Sequence, residues 1–529
     1  MTNGLTRRNF LTTAGLAGIA AAGMGLAGCA PKAAGAVEGA ASAAATGAAG
    51  AGGTVPASWD EECDVLVLGA GGAGASAALA ATKAGASVIV LDSQASNNFN
   101  ATSICKGNFC VVGSDEQKAL GIEDSVEKFL EDALANGNSD GNVIRANRED
   151  AIRVFAENSA RGYQLLKELG VEFPDPYMQV GHSLLRCHVV DNAKMLQLLT
   201  DASKKAGADY QFETEFTKLV RDGSGTVMGA IAVKDGKEKA FKAKKAVLMC
   251  TGSFVRNVEL VEECAMGFSK IPLFTGEGLT GAGHLALMDM GGALWGRECI
   301  YACEGDSEDG KAYTEMCLFG AIVTDLSGNR FFDDGQYWTN ARTRAVVAKA
   351  KQEGNEKFQT WQVFDQAAYD RAVENGPSNG IYPENESYFI KADTIEELAE
   401  AINAPDLPAT LAKYNEDIAN GGDTQFGRVY WNGVGTPTPV ALDQAPYYAY
   451  ASFPHLLYTP CTGFMINGDC QVLGQYGEEP IGGGRLFAAG EIITRSIVGN
   501  HYMVGAGIGS CTTLGMVIGE KAAALDPWE

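Results

Sequence analysis

Histidine is scarce, with 5 in 529 residues, and the 13 cysteines include no C-x-x-C pair. The nearest spacings, Cys105 with Cys110 and Cys299 with Cys303, match no zinc or iron–sulfur signature. No metal ligand set is therefore assigned, and buried apolar thiols are the ordinary reading of these cysteines. Basic residues are also short: 41 Lys and Arg stand against 65 Asp and Glu, a formal charge of −24. A surface that acidic repels phosphate backbones and excludes nucleic acid as a natural partner. No apolar run has the length and composition of a transmembrane helix, and no solenoid-type repeat is visible.

What the chain has instead begins with an address. Thr6-Arg7-Arg8-Asn9-Phe10-Leu11 fits the twin-arginine export pattern, and a short Gly-rich apolar stretch leads to Leu26-Ala27-Gly28-Cys29. That ending is a lipobox, so residues 1–29 read as a cleaved signal with a lipid anchor on Cys29. The expected location is the outer face of the cytoplasmic membrane. Residues 30–58 are mostly Ala, Gly, Ser and Thr, a composition that cannot bury enough apolar surface to order itself and serves as a flexible tether.

The first globular signal is Cys63-Asp64-Val65-Leu66-Val67-Leu68, a buried-strand pattern, followed by Gly69-Ala70-Gly71-Gly72-Ala73-Gly74 and an Ala-rich helical stretch. A second apolar strand, Ser87 to Leu91, ends in Asp92. This strand–turn–helix–strand context gives a Gly-rich motif its meaning. Gly69 permits the tight turn, Gly71 and Gly72 let a pyrophosphate approach the backbone, and Gly74 lets helix and strand pack closely. The helix N-terminus offers free N–H groups to phosphate, and Asp92 offers a carboxylate to ribose hydroxyls.

Two later strands narrow the dinucleotide. Lys245 to Met249 runs into Cys250-Thr251-Gly252-Ser253, and Gly484-Arg485-Leu486-Phe487-Ala488-Ala489-Gly490-Glu491 stands near the C-terminus. Together with Thr275-Gly276-Glu277-Gly278, Gly328-Asn329-Arg330-Phe331-Phe332-Asp333-Asp334 and Leu407-Pro408-Ala409-Thr410-Leu411-Ala412-Lys413-Tyr414-Asn415, they resemble the fumarate reductase and 3-ketosteroid dehydrogenase flavoprotein superfamily. The resemblance spans the whole mature chain. It implies an α/β fold: a Rossmann-type FAD-binding domain, residues 59–298 and 461–529, with an inserted α+β capping domain, residues 299–460. It further implies FAD contacts at Gly69, Gly71, Gly72, Gly74, Asp92, Ser103, Thr251, Gly252, Gly490 and Glu491. The loop from Asn97 to Ser103 lacks the histidine that carries covalent flavin in some relatives, so noncovalent FAD is expected. With no FMN or haem domain in the chain, electrons must pass through a separate membrane or extracytoplasmic carrier.

The same resemblance bears on substrate. Three positions at which the fumarate reductases carry Arg or His to bind a dicarboxylate correspond here to Trp338 (beside Tyr337), Tyr502 and Thr459. Burying a carboxylate without a cationic partner is costly, so a dicarboxylate is disfavoured. The substitutions look more like the ketosteroid dehydrogenases, in which a Tyr and a Gly amide polarise a ketone. Tyr502 with the N–H of Gly505 or Gly507 would serve here, with Tyr337 as proton donor and Trp338 stacking on substrate. The implied enzyme is an FAD-dependent oxidoreductase of CH–CH groups. It acts on a C=C bond conjugated to a carbonyl, in a steroid-like enone, by hydride transfer from flavin N5 with Tyr-assisted proton transfer. The developing enolate needs oxyanion-type donors, and export of the chain favours the reductive direction. Two alternatives remain open: reduction of an acrylate-type acid such as urocanate or a cinnamate, using Arg186, Arg342 or Arg495, and a noncatalytic FAD electron relay. His284, on an apolar helical stretch, reads as structural, whereas His182, Arg186 and His188 form a polar cluster that the resemblance puts near the flavin.

Overall fold

Strands β1 (Glu61–Leu68) and β2 (Val88–Leu91) flank helix α1 (Gly72–Lys83) in a parallel β–α–β unit. Val65 to Leu68 and all of β2 are buried, which is why both read as unbroken apolar runs instead of alternating ones. This computed structural model describes residues 55–137, 147–273, 275–300, 303–305, 316–335, 340–374, 383–428, 439–456, 459, 461–475, 477 and 479–528. The twin-arginine and lipobox motifs, most of the tether, Tyr337 and Trp338 lie outside them.

After the short helix α2 (Ala101–Ile104), strands β3 (Asn108–Cys110) and β4 (Cys187–Val189) pair antiparallel. Helix α3 (Asn192–Ala206) leads to β5 (Asp209–Gln211), and β6 (Thr214–Arg221), β7 (Val227–Lys234) and β8 (Lys237–Met249) form a meander. The main sheet runs β5-β2-β1-β8-β7-β6. Strand β8 is long enough for two jobs. Its first half pairs with β7, and its last three residues pair parallel with β14 (Leu486–Ala488), so the 484–491 segment lies on the edge of β8 opposite β1.

A second, mainly antiparallel sheet takes its strands from residues 303–455: β9 (Cys303–Gly305), β10 (Ile322–Thr324), β11 (Thr360–Asp365), β12 (Ile390–Ala392) and β13 (Tyr447–His455). Aromatic pairs hold it, with Phe364 stacked on Tyr448 at 5.2 Å and Phe389 on Tyr450 at 5.5 Å. Both sheets belong to the unit Val55–Glu529.

The chain ends in helix α4 (Ala506–Ala524), which lies on α1. A β-carbon on Gly515 would sit 2.4 Å from the Ala73 carbonyl oxygen, and one on Gly519 2.3 Å from that of Ala77. Two glycines one turn apart thus let the helix backbones touch, and the C-terminal helix becomes the back wall of the Gly-rich turn. Among the described residues, no helix is long and apolar enough to cross a membrane.

Candidate active site

The turn from β1 into α1 is built as its glycines require. Gly69 has φ +105°, and a β-carbon there would fall 2.3 Å from the Cys250 carbonyl oxygen. A β-carbon on Gly74 would fall 1.9 Å from the Gly69 oxygen. Gly71, the N-cap of α1, has open space around it: its nearest neighbour would be Thr102 Oγ1 at 3.6 Å. The Gly72 amide donates to Thr102 Oγ1 at 3.0 Å, a contact that no spacing rule in the sequence reveals. Asp92 closes the cradle: Oδ2 accepts from the Ala70 amide at 2.7 Å and Oδ1 from the Gln94 amide at 2.9 Å. Desolvation raises its pKa despite these two bonds. The 275–278 segment packs on the loop after Asp92: a β-carbon on Gly278 would lie 3.3 Å from the Gln94 side chain. Ser103 spends its hydroxyl in a capping box with Asn100, at 3.0 and 3.1 Å, leaving neighbouring Thr102 as the side chain on the Gly-rich turn.

At the C-terminal end of β8, Thr251 Oγ1 is buried without a hydrogen-bond partner, and Gly252 has φ +71°. Gly490, after β14, has φ +85°, and a β-carbon there would lie 3.1 Å from that of Ala73. Glu491 therefore sits beside the start of α1. Its carboxylate accepts from the Thr459 amide, and Thr459 Oγ1 shares a 2.8 Å bond with Ser253 Oγ. Burial pushes the Glu491 carboxyl up to about 7, with the Thr459 and Ser253 bonds opposing. A carboxyl raised in the folded state confers stability that is complete below its unfolded pKa and lost as pH rises through the folded value. The window here is about pH 4.5 to 7. We expect Glu491→Gln to flatten that decline in thermal melts of the apoprotein; an unchanged pH profile would remove Glu491 as its cause.

Tyr502 lies one turn before α4. A β-carbon built on Gly507 would be 2.7 Å from its hydroxyl, so the Gly507 backbone faces that oxygen. Gly507 is in the first turn of α4, where helix geometry leaves amides without an intrahelical acceptor. Gly505 faces elsewhere. It has φ +83°, caps α4, and would place a β-carbon 2.8 Å from the Cys110 nitrogen. Of the two glycines the spacing left open, the one against the Tyr502 hydroxyl is Gly507. Burial, then Cys105, Cys110, Glu491 and Cys187, raise the Tyr502 pKa far above its ordinary value. Tyr502 is thus a phenol that keeps its proton.

The cations divide. Arg186 is fully buried and forks onto Asp124 at 2.7 and 2.8 Å, with Asp132 on its other nitrogen, so two carboxylates already hold it. Removing one partner of such a pair costs ~3–5 kcal/mol. Asp124→Asn is expected to lower the urea midpoint accordingly, and a wild-type midpoint would show the pair to be dispensable. Arg495, 5% exposed, donates to the Cys461 carbonyl at 2.7 Å and to Asn500 Oδ1 at 2.8 Å, its Nε has no partner, and no carboxylate among the described residues pairs with it. Arg342 is buried beside Cys317. His182 donates to the Val504 carbonyl, 2.7 Å away, and His188 to that of Pro174, 2.6 Å away. His284 packs against Phe254 and Phe464, and burial holds its pKa down to about 3, so it is a neutral core residue.

The arrangement suits a dinucleotide: open space over Gly71 at the helix start, a fixed carboxylate at the second strand, and an orphaned threonine hydroxyl just past β8, beside Gly69. A model of the FAD binding domain matches residues 64–508. The chain is 31% identical to a probable fumarate reductase of Shewanella frigidimarina over 89% of its own length and 77% of that protein's. It is 30% identical to the urocanate reductase of Eggerthella lenta, covering 89% and 76% of the two chains. It is 26% identical to the digoxin reductase of the same species, covering 99% and 98%. Among solved structures, the open conformation of a flavocytochrome c3 fumarate reductase superposes with TM-score 0.70 at 29% identity, covering 88% of this chain and 79% of that one. The 3-ketosteroid-Δ4-(5α)-dehydrogenase of Rhodococcus jostii shares the fold, with TM-score 0.64 at 24% identity, covering 88% and 98%. With its Gly-rich cradle, its Glu491 strand and this set of relatives, the chain belongs to the FAD-dependent flavoprotein family of the fumarate reductases, and is an oxidoreductase of carbon–carbon double bonds.

Proposed function

We propose that the protein reduces a C=C bond conjugated to a neutral carbonyl, as in a steroid-like enone. The observation that carries this reading is the Tyr502 hydroxyl set against the Gly507 backbone beside Glu491. FAD, held by the β1–α1 turn, Asp92, Thr251 and Gly490, supplies the hydride equivalent when bound. As the β-carbon of the substrate is reduced, negative charge moves to the carbonyl oxygen. Tyr502 and the Gly507 amide donate to that oxygen, and fixed donors in a water-poor site stabilise the developing enolate. A phenol with a strongly raised pKa suits this task better than giving its proton away. The α-carbon proton is assigned to Tyr337, with Trp338 against the substrate, in a capping domain formed by residues 299–460. Digoxin, the substrate named for the relative aligned over nearly the whole chain, has no carboxylate and supports a neutral substrate.

A second reading rests on Arg495, a buried guanidinium with only neutral acceptors among the described residues. Burying such a charge unpaired is unfavourable, and an unsaturated monocarboxylate would neutralise it. Urocanate, named for another relative, is an acid of that type. Titrating the oxidised holoprotein with a steroid enone and with urocanate, while recording flavin absorbance, separates the two. A spectral shift with the enone and none with urocanate fits the first reading. A shift with urocanate alone that is lost in Arg495→Gln overturns it.

The N-terminal motifs support export and lipid anchoring at Cys29, with a separate electron carrier outside the cytoplasm. Cys29→Ser is expected to move the protein from membranes to the soluble fraction; an unchanged membrane association would contradict the anchor.

A further inference from the structure

Strands β3 and β4 put Cys110 directly opposite Cys187. The ladder bonds fall on either side of them: the Val111 amide donates to the Arg186 carbonyl, and the Val190 amide to that of Gly107. The Cys110 amide goes instead to the Gly505 carbonyl, and the Cys187 amide to that of Tyr177. The two cysteines are therefore a non-hydrogen-bonded pair, the closer of the two pair types in an antiparallel ladder. In such a pair the Cα atoms are ~4.5 Å apart and both side chains leave the same face. That spacing lies within the ~4.4–6.8 Å a disulfide spans. Both side chains also converge on one point, since a β-carbon on Gly505 would lie 3.2 Å from Cys110 Cβ and 3.0 Å from Cys187 Sγ.

We propose that Cys110 and Cys187 are a redox pair that closes into an intramolecular disulfide beneath the Gly505 turn, next to Tyr502. The co-reactant is a low-molecular-weight disulfide. One cysteine thiolate attacks it, forming a mixed disulfide and releasing one small thiol. The second cysteine then displaces the other small thiol and forms the protein S–S bond. Two protein thiols are oxidised by two electrons, and the small disulfide is reduced to two thiols. Both thiols are free and buried, and burial pushes Cys110 up to about 12 and Cys187 up as well. Exchange is thus slow at neutral pH and quickens as pH rises, because the thiolate is the attacking species.

The test uses the holoprotein, incubated with oxidised glutathione at about pH 8.5, alkylated under denaturing conditions and mapped by peptide mass. The expected product is one cross-linked peptide pair containing Cys110 and Cys187, lighter than its reduced halves by about 2 Da. Dithiothreitol should reverse it, and it should be absent in Cys110→Ser and in Cys187→Ala. The oxidised protein is also expected to melt at a higher temperature than the reduced one, as closure of a long loop constrains the unfolded chain. Recovery of both cysteines alkylated, capped separately by glutathione, or joined to other cysteines would overturn the proposal.

Discussion

Replacing Tyr502 with Phe is expected to lower kcat by about 10²–10³-fold, the usual loss when one oxyanion donor is removed. FAD content should not change, because the substitution removes only the hydroxyl that faces the Gly507 backbone and leaves the Gly-rich turn itself unaltered. The effect should fall on kcat more than on KM. A neutral carbonyl in the ground state gains little from a second donor, whereas the enolate that forms as the β-carbon is reduced gains much. The raised pKa of Tyr502 sharpens the expectation: a phenol that does not ionise in the working range gives no Tyr502 limb in the pH–rate profile. A Tyr502→Phe enzyme within a few-fold of wild type would mean that this side chain is core filler, the common role of a buried tyrosine.

The second large effect belongs to the glycines of the β1–α1 turn, which should fail in two different ways. Gly74→Ala places a methyl 1.9 Å from the Gly69 oxygen and 3.2 Å from Val67 Cγ1. Neither can yield, since Val67 is fully buried in β1 at the centre of the sheet. Overpacking of that kind costs ~1–3 kcal/mol or more, so the variant should melt early and be purified largely without FAD. Gly71→Ala meets nothing closer than 3.6 Å. It should fold with a wild-type melting temperature as apoprotein, yet lose FAD, because the methyl occupies the side from which a pyrophosphate approaches the backbone. Flavin absorbance per protein, read against the apoprotein melt, checks both. Equal stability losses in the two variants would contradict this division of labour.

The parts legible in the sequence are those in which local pattern and tertiary role coincide. The apolar run 63–68, the Gly-rich turn and Asp92 announce a β–α–β unit because a parallel strand is buried on both faces and a tight turn needs glycine. The 484–491 segment is legible through its resemblance to a family motif, and its strand β14 does pair with the end of β8. What spacing hides is contact across long separations. Thr102 reaches Gly72 over 30 residues, Thr459 reaches Glu491 and Ser253 across a connection to the second sheet, and Asp124 and Asp132 claim Arg186 from 62 and 54 residues away. No local rule says that Arg186 is already neutralised, or that Ser103 caps its own helix while Thr102 faces the turn. Choosing between Gly505 and Gly507 likewise depends on where α4 begins, a boundary that pattern alone does not fix.

The central claim, a neutral carbonyl-conjugated alkene as substrate, is tested most directly by anaerobic reoxidation. The FAD-loaded protein lacking residues 1–29 is reduced with dithionite, and alkenes are added while the flavin absorbance is followed. Rapid return of the oxidised spectrum with steroid-like enones, and none with fumarate, urocanate or cinnamate, is the predicted result. Reoxidation by an unsaturated acid and not by any enone would contradict the account and transfer substrate binding from Tyr502 to Arg495.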